Sequence, residues 1–143
     1  MELILRVLFV LSVLLSAQMA LAENVVVIVH EDNSQSLSNS DIKAIYSDNI
    51  VQWSDGSSIK SFDLPLENSV REKFTQEVMG MSARETARLW ANRKITNSAK
   101  NPPKIKKERL VVLSVRRYKN AIGYVSESAI AGKKGLRVIT TIQ

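Results

Sequence analysis

The 143-residue sequence has no cysteine and one histidine, His30. The first absence excludes a thiol nucleophile and a thiolate metal site, and the fold must do without disulfides. The second leaves His30 alone at the end of an apolar stretch, beside Glu31 and Asp32. A metal site needs more imidazoles or a spaced carboxylate set. A Ser-His-Asp triad would have to use His30, and nothing sets a nucleophile next to it. There is no G-x-S-x-G elbow, no Walker lysine loop and no dinucleotide glycine fingerprint. No carboxylate pair announces a sugar cleft. This inventory argues against an enzyme and calls for no cofactor and no metal. Internal repeats and low-complexity segments are missing too.

Long apolar runs are scarce, and the one present is at the start. In "MELILRVLFVLSVLLSAQMALA", Arg6 precedes an apolar run from about Val7 to Leu15, and Ala20-Leu21-Ala22 follows. That is the pattern of a secretory signal with an A-x-A cleavage site. The run is short for a bilayer span. The expectation is a signal peptide over 1–22 and one exported domain over 23–143, in the periplasm. A domain of that length can bury a core of its own.

Negative charge is scarce in the last third. Residues 23–99 hold eight Lys/Arg against eleven Asp/Glu, whereas residues 100–143 hold eleven against two. A basic half attracts phosphate-bearing ligands, acidic proteins or lipid head groups. Export argues against nucleic acid. The plainer alternative is a solvated basic face.

The elements alternate. "NVVVIVH" (24–30) is apolar on both faces and predicts a strand in a sheet covered on both sides. Ser38 or Ser40 can cap a short amphipathic helix over 39–47. "WSDG" (53–56) is turn chemistry. "SIKSFDL" (58–64) predicts a strand closed by Pro65. Val70, Phe74 and Val78, four apart, predict a helix from Ser69 to Met79, with Gly80 as its C′ residue. Ser82 and Glu85 form a capping-box pattern opening a helix to about Arg93, with Ala83, Ala87 and Trp90 inward. Residues 95–104 form an irregular loop. Residues 106–118 are ambiguous. Val111, Val112 and Val115 favour a strand, while Leu110, Ser114 and Tyr118 at spacing four favour a helix, which we prefer. "AIGYV" (121–125) and "LRVITTI" (136–142) predict strands. The class is α/β, a sheet with helices packed on it. Trp53, Trp90 and Tyr124 are expected in the core.

Three stretches together resemble a known family. "DIKAIYSDNIVQWSDGSSIKSF" (41–62) is similar to the segment of periplasmic phosphate-binding proteins in which a short helix with "IY" precedes a tryptophan. "FDLPLENSVREKFTQEVMG" (62–80) resembles their strand–loop–helix unit, and "NAIGYVSESA" (120–129) their "GAIGY" stretch. The resemblance implies an α/β fold with a mixed sheet flanked by helices, like a single lobe of a type II periplasmic binding protein. It implies kinship with ABC importer substrate-binding proteins, whose partner is a membrane permease. It also implies an oxyanion site where the helix near Ser69 begins.

The local chemistry suits such a site. The first N–H groups of a helix lack internal partners, and its dipole is positive there. Ser69 can donate its hydroxyl, Arg71 a charged fork and Asn68 its amide. Asn33 and Ser34, after the first strand, are expected to face the same edge, because ligands gather at strand C-termini in open α/β sheets. The plainer alternatives are Ser69 as an N-cap and Arg71 as a surface residue paired with Glu67.

Two functions compete. In the first, the exported protein binds phosphate or a similar oxyanion, alone or as a homodimer that completes the cleft. In the second, the lobe is a scaffold, and the basic stretch from Lys100 to Lys119 docks an acidic partner such as a sensor ectodomain. Glu67-Asn68-Ser69-Val70, where the family has a Gly-Ser-Gly-Thr-like loop, motivates the second.

Overall fold

The computed structural model describes residues 23–143 together with Ile4. The expected signal peptide, Ile4 apart, lies outside the described residues. Among the described residues five strands and four helices follow one another. They are β1 (Val25–His30), α1 (Asn39–Tyr46), β2 (Lys60–Asp63), α2 (Ser69–Phe74), α3 (Ala83–Ile95), β3 (Lys104–Ile105), α4 (Glu108–Arg117), β4 (Ala121–Ser126) and β5 (Leu136–Ile142). A π-helical turn, Thr75–Met79, extends α2, and a 3-10 turn, Glu127–Ile130, follows β4. No helix among the described residues is long and apolar enough to cross a membrane.

The strands form one sheet in the order β3-β2-β4-β1-β5. β2 runs parallel to both β3 and β4, while β1 is antiparallel to both β4 and β5. The sheet is therefore mixed, as expected. Strand alternation sends successive side chains to opposite faces. Val25 through Val29 are all buried, so both faces are covered. Gly123 and Phe62 face α4. A Cβ built at Gly123 would stand 2.5 Å from Val111 Cγ1 and 3.7 Å from Phe62 Cβ, so only glycine admits the helix this closely. Tyr124 and Asp63, one residue on, face α1 and α2. There Phe74 stacks on Tyr124 with ring centroids 3.8 Å apart, and Tyr46 meets Phe74 edge-on at 5.0 Å.

Local signals explain the boundaries. Ser38 and Asp41 close a reciprocal capping box on α1. Gly80 ends the α2 extension at φ 69°, a left-handed conformation that favours glycine. Ser82 caps α3 by accepting from Glu85 N. The next donor along, Ala83 N, goes to Glu72 Oε2 of α2 at 2.9 Å, which ties the two helices together.

Three expectations need correction. The ambiguous stretch 106–118 is a helix as preferred, but only over Glu108–Arg117, and its buried residues are Val111, Val112 and Val115 rather than the spacing-four set Leu110, Ser114 and Tyr118. The β-branched residues that argued for a strand are the ones that pack. The irregular loop after α3 ends in a two-residue strand, β3, paired to β2 through Phe62–Lys104 and Asp63–Ile105. Finally, α3 turns Thr86 inward with Ala83 and Trp90, where Ala87 was expected.

Candidate functional site

The turn from β2 into α2 carries three of the five residues singled out in the sequence. Pro65 O accepts from Asn68 N at 3.0 Å, which closes the turn. Asn68 is the N-cap, and its Oδ1 accepts from Val70 N at 2.8 Å. The cap is therefore Asn68, not Ser69. Ser69 is the first helical residue and is exposed, as is Glu67 before it. The remaining first-turn N–H groups have no partner within the helix, where the dipole is positive.

Arg71 departs furthest from expectation. It is not paired with Glu67 at the surface. It is 2% exposed and points into the core. Its Nη1 donates to Leu64 O at 2.9 Å, and its Nε lies 3.6 Å from Asp63 Oδ1 without a hydrogen bond. Asp63, 6% exposed, accepts further from Leu64 N at 2.8 Å and from the Tyr124 hydroxyl. The Tyr46 hydroxyl donates to Phe62 O at 2.7 Å. Burial raises the Asp63 carboxyl above the usual carboxylate range, and the Arg71 charge pulls it partly back, assisted by Tyr124. Burial first, and the Asp63 charge second, hold Tyr124 well above the ordinary tyrosine range, so it stays a donor. Beneath the α2 start, then, lies a buried polar strut joining β2, α2 and β4. Sequence reasoning missed Asp63. The signal was available: in "SFDL" alternation puts Asp63 inward beside the inward Tyr124.

Asn33 and Ser34 lie elsewhere. β1 is antiparallel to β4, which is parallel to β2, so β1 ends where β2 begins. Val29 faces Ile122, and Ile122 faces Ser61 on the other side. The loop after β1 thus sits at the sheet edge opposite the α2 start. The rule that ligands gather at strand C-termini presumes parallel strands, and β1 breaks it. Asn33 is 8% exposed and structural there. Its Oδ1 accepts from Gln35 N at 2.9 Å, and its carbonyl accepts from Arg137 Nε at 2.7 Å. The nearby open cavity of ≈ 350 Å³ is flanked by Asp32 and Asp55, with Lys119 as its cation. Two carboxylates make it a poor seat for an oxyanion. His30 Nδ1 accepts from Asp32 N at 3.0 Å, a strand-end role.

The five residues consequently form no single constellation. Asn68, Ser69 and Arg71 cluster at one edge, with Arg71 beneath the surface. Asn33 and Ser34 form part of the other edge.

No protein-family model and no curated protein matches the chain. Solved structures do. An ABC-type phosphate transport receptor from Vibrio cholerae is 15% identical, with 82% of this chain and 46% of that chain covered and a TM-score of 0.62. PstS from Borrelia burgdorferi is 12% identical, covering 82% and 47%, with a TM-score of 0.64. A Clostridium perfringens protein solved with bound phosphate is 20% identical, covering 81% and 53%, with a TM-score of 0.57. The chain spans about half the length of each. At these identities the likeness concerns the fold. The chain is an α/β protein that shares its fold with part of the substrate-binding proteins of phosphate ABC transporters.

Proposed function

We propose that the chain is an exported, non-catalytic binding protein that holds phosphate or a similar oxyanion at the start of α2. The supporting observation is the exposed Ser69 on the first turn of α2, in a fold shared with phosphate-transport receptors. In this reading the Ser69 hydroxyl and the uncapped first-turn N–H groups meet the oxygens. Asn68 orders the turn through Val70 N, and Arg71 acts from below by fixing Leu64 and Asp63. Asn33 and Ser34 take no part. A half-site of this kind is open to water, so a second copy or a permease would serve to close it. Titration calorimetry with phosphate and sulfate tests the reading. A binder must stabilise the fold by mass action, by about 2.7 kcal/mol when ligand reaches roughly a hundred times Kd. Absence of heat and of any melting shift at millimolar ligand would reject it.

A second reading is favoured by one observation, the burial of Arg71. The only cation among Asn68, Ser69 and Arg71 is consumed by Asp63 and Leu64, and the exposed charges that flank the three in sequence, Glu67 and Glu72, are both negative. Here the lobe is a scaffold for an acidic partner, with no oxyanion bound at α2. Recovery of a partner by wild-type protein, lost on charge reversal in the basic half, would support it.

A further inference from the structure

The stripe on α4 that does not enter the core forms one wall of a groove. Leu110, Leu113, Ser114 and Arg117 recur at helical spacing and line it from one side. Lys104 and Lys106, two apart across β3, line it from the other, with Lys60 of β2. The groove encloses ≈ 360 Å³. Four cations and no carboxylate line it, and among the described residues none of the four is in a salt bridge. Lys60 Nζ stands 3.9 Å above the Tyr118 ring, and Arg117 stands 5.4 Å from the same ring, so one aromatic gathers two charges. Leu110 and Leu113 are 44% and 45% exposed. β3 is an edge of the sheet, paired to β2 alone.

We propose that this groove docks an acidic segment of another protein, extended along β3, with an apolar side chain seated between Leu110 and Leu113. This deepens the scaffold reading and rests on it. Charge complementarity selects the partner. Acidic residues flanking an apolar one complement both parts of the groove, the four cations and the exposed leucines. The edge strand favours an extended peptide, because β3 offers backbone groups to a further strand. A flat lipid surface would not use a concave groove beside a strand edge.

The test uses the purified protein and a fluorescent peptide alternating Asp or Glu with Leu, against a Lys/Leu counterpart. Binding is expected for the acidic peptide only, weakening as salt rises. Lys104→Glu with Lys106→Glu should weaken it by about tenfold or more. Leu110→Ser with Leu113→Ser should weaken it as well, and both positions are exposed enough to leave the fold intact. Lys133→Glu with Lys134→Glu changes net charge equally outside the groove and should leave binding unchanged. An equal loss in that control, or no loss in the groove variants, would overturn the proposal. Binding to phosphatidylglycerol vesicles but not to the peptide would overturn it as well, and so would displacement of the peptide by millimolar inorganic phosphate. Heat on titration with phosphate would count against the scaffold reading, whereas the groove stands or falls on the peptide and its variants, so the two failures are distinguishable.

Discussion

Replacing Arg71 by alanine asks whether the residue is a strut or a ligand contact. The guanidinium is buried, bonds Leu64 O at 2.9 Å and stands 3.6 Å from the Asp63 carboxylate. Its removal leaves that carboxylate buried with only Leu64 N and the Tyr124 hydroxyl. Breaking a buried pair from one side costs about 3–5 kcal/mol. A domain of this length is stable by roughly 6–18 kcal/mol, so the variant should fold but weakly. At about 3–5 °C per kcal/mol, its melting temperature should fall by roughly 10–20 °C. The loss should depend on pH. Burial already raises the Asp63 carboxyl, and loss of Arg71 removes the largest of the influences that pull it back. A carboxyl raised in the folded state binds more protons folded than unfolded, so stability falls as pH rises through that window. Acidification from neutral pH should therefore narrow the gap between variant and wild type. The double variant Asp63→Asn with Arg71→Met should recover part of the loss. Urea unfolding across pH is the assay. A loss under about 1 kcal/mol, independent of pH, would refute the strut.

Other perturbations separate packing from capping. Gly123→Ala should destabilise by about 1–3 kcal/mol in thermal melts, because its Cβ would collide with Val111. Asn68→Ala should cost about 1 kcal/mol for the lost cap, whereas Ser69→Ala should change stability little and reduce any phosphate affinity. Asp48 accepts from Lys100 N at 2.7 Å and Asn101 N at 2.8 Å, so it holds the loop before β3. Asp48→Asn should cost about 1–2 kcal/mol and speed limited proteolysis within 96–104.

The succession of strands and helices was legible because each segment carries its own period. "NVVVIVH" is apolar throughout, Val70, Phe74 and Val78 recur every fourth residue, and Gly80 marks the stop. α4 was harder, because it has two apolar stripes. The valines face the sheet, and Leu110 with Leu113 faces the groove. Spacing alone does not say which stripe is inside. β3 was invisible, since two residues have no period and its pairing with β2 is tertiary. The site was legible only in part. The turn into α2 announced itself through Asn68 and Ser69. The burial of Arg71 depends on Asp63 and on Tyr124, 61 residues further along. The opposite location of Asn33 and Ser34 follows from the direction of β1, which sequence does not state.

Crystals of the protein grown with phosphate test the functional account most directly. The account predicts an oxyanion within hydrogen-bond distance of the Ser69 hydroxyl and the first-turn amides of α2, with Arg71 still bonded to Leu64 O. An empty α2 start, with phosphate held instead among Lys60, Lys104, Lys106 and Arg117, would contradict it.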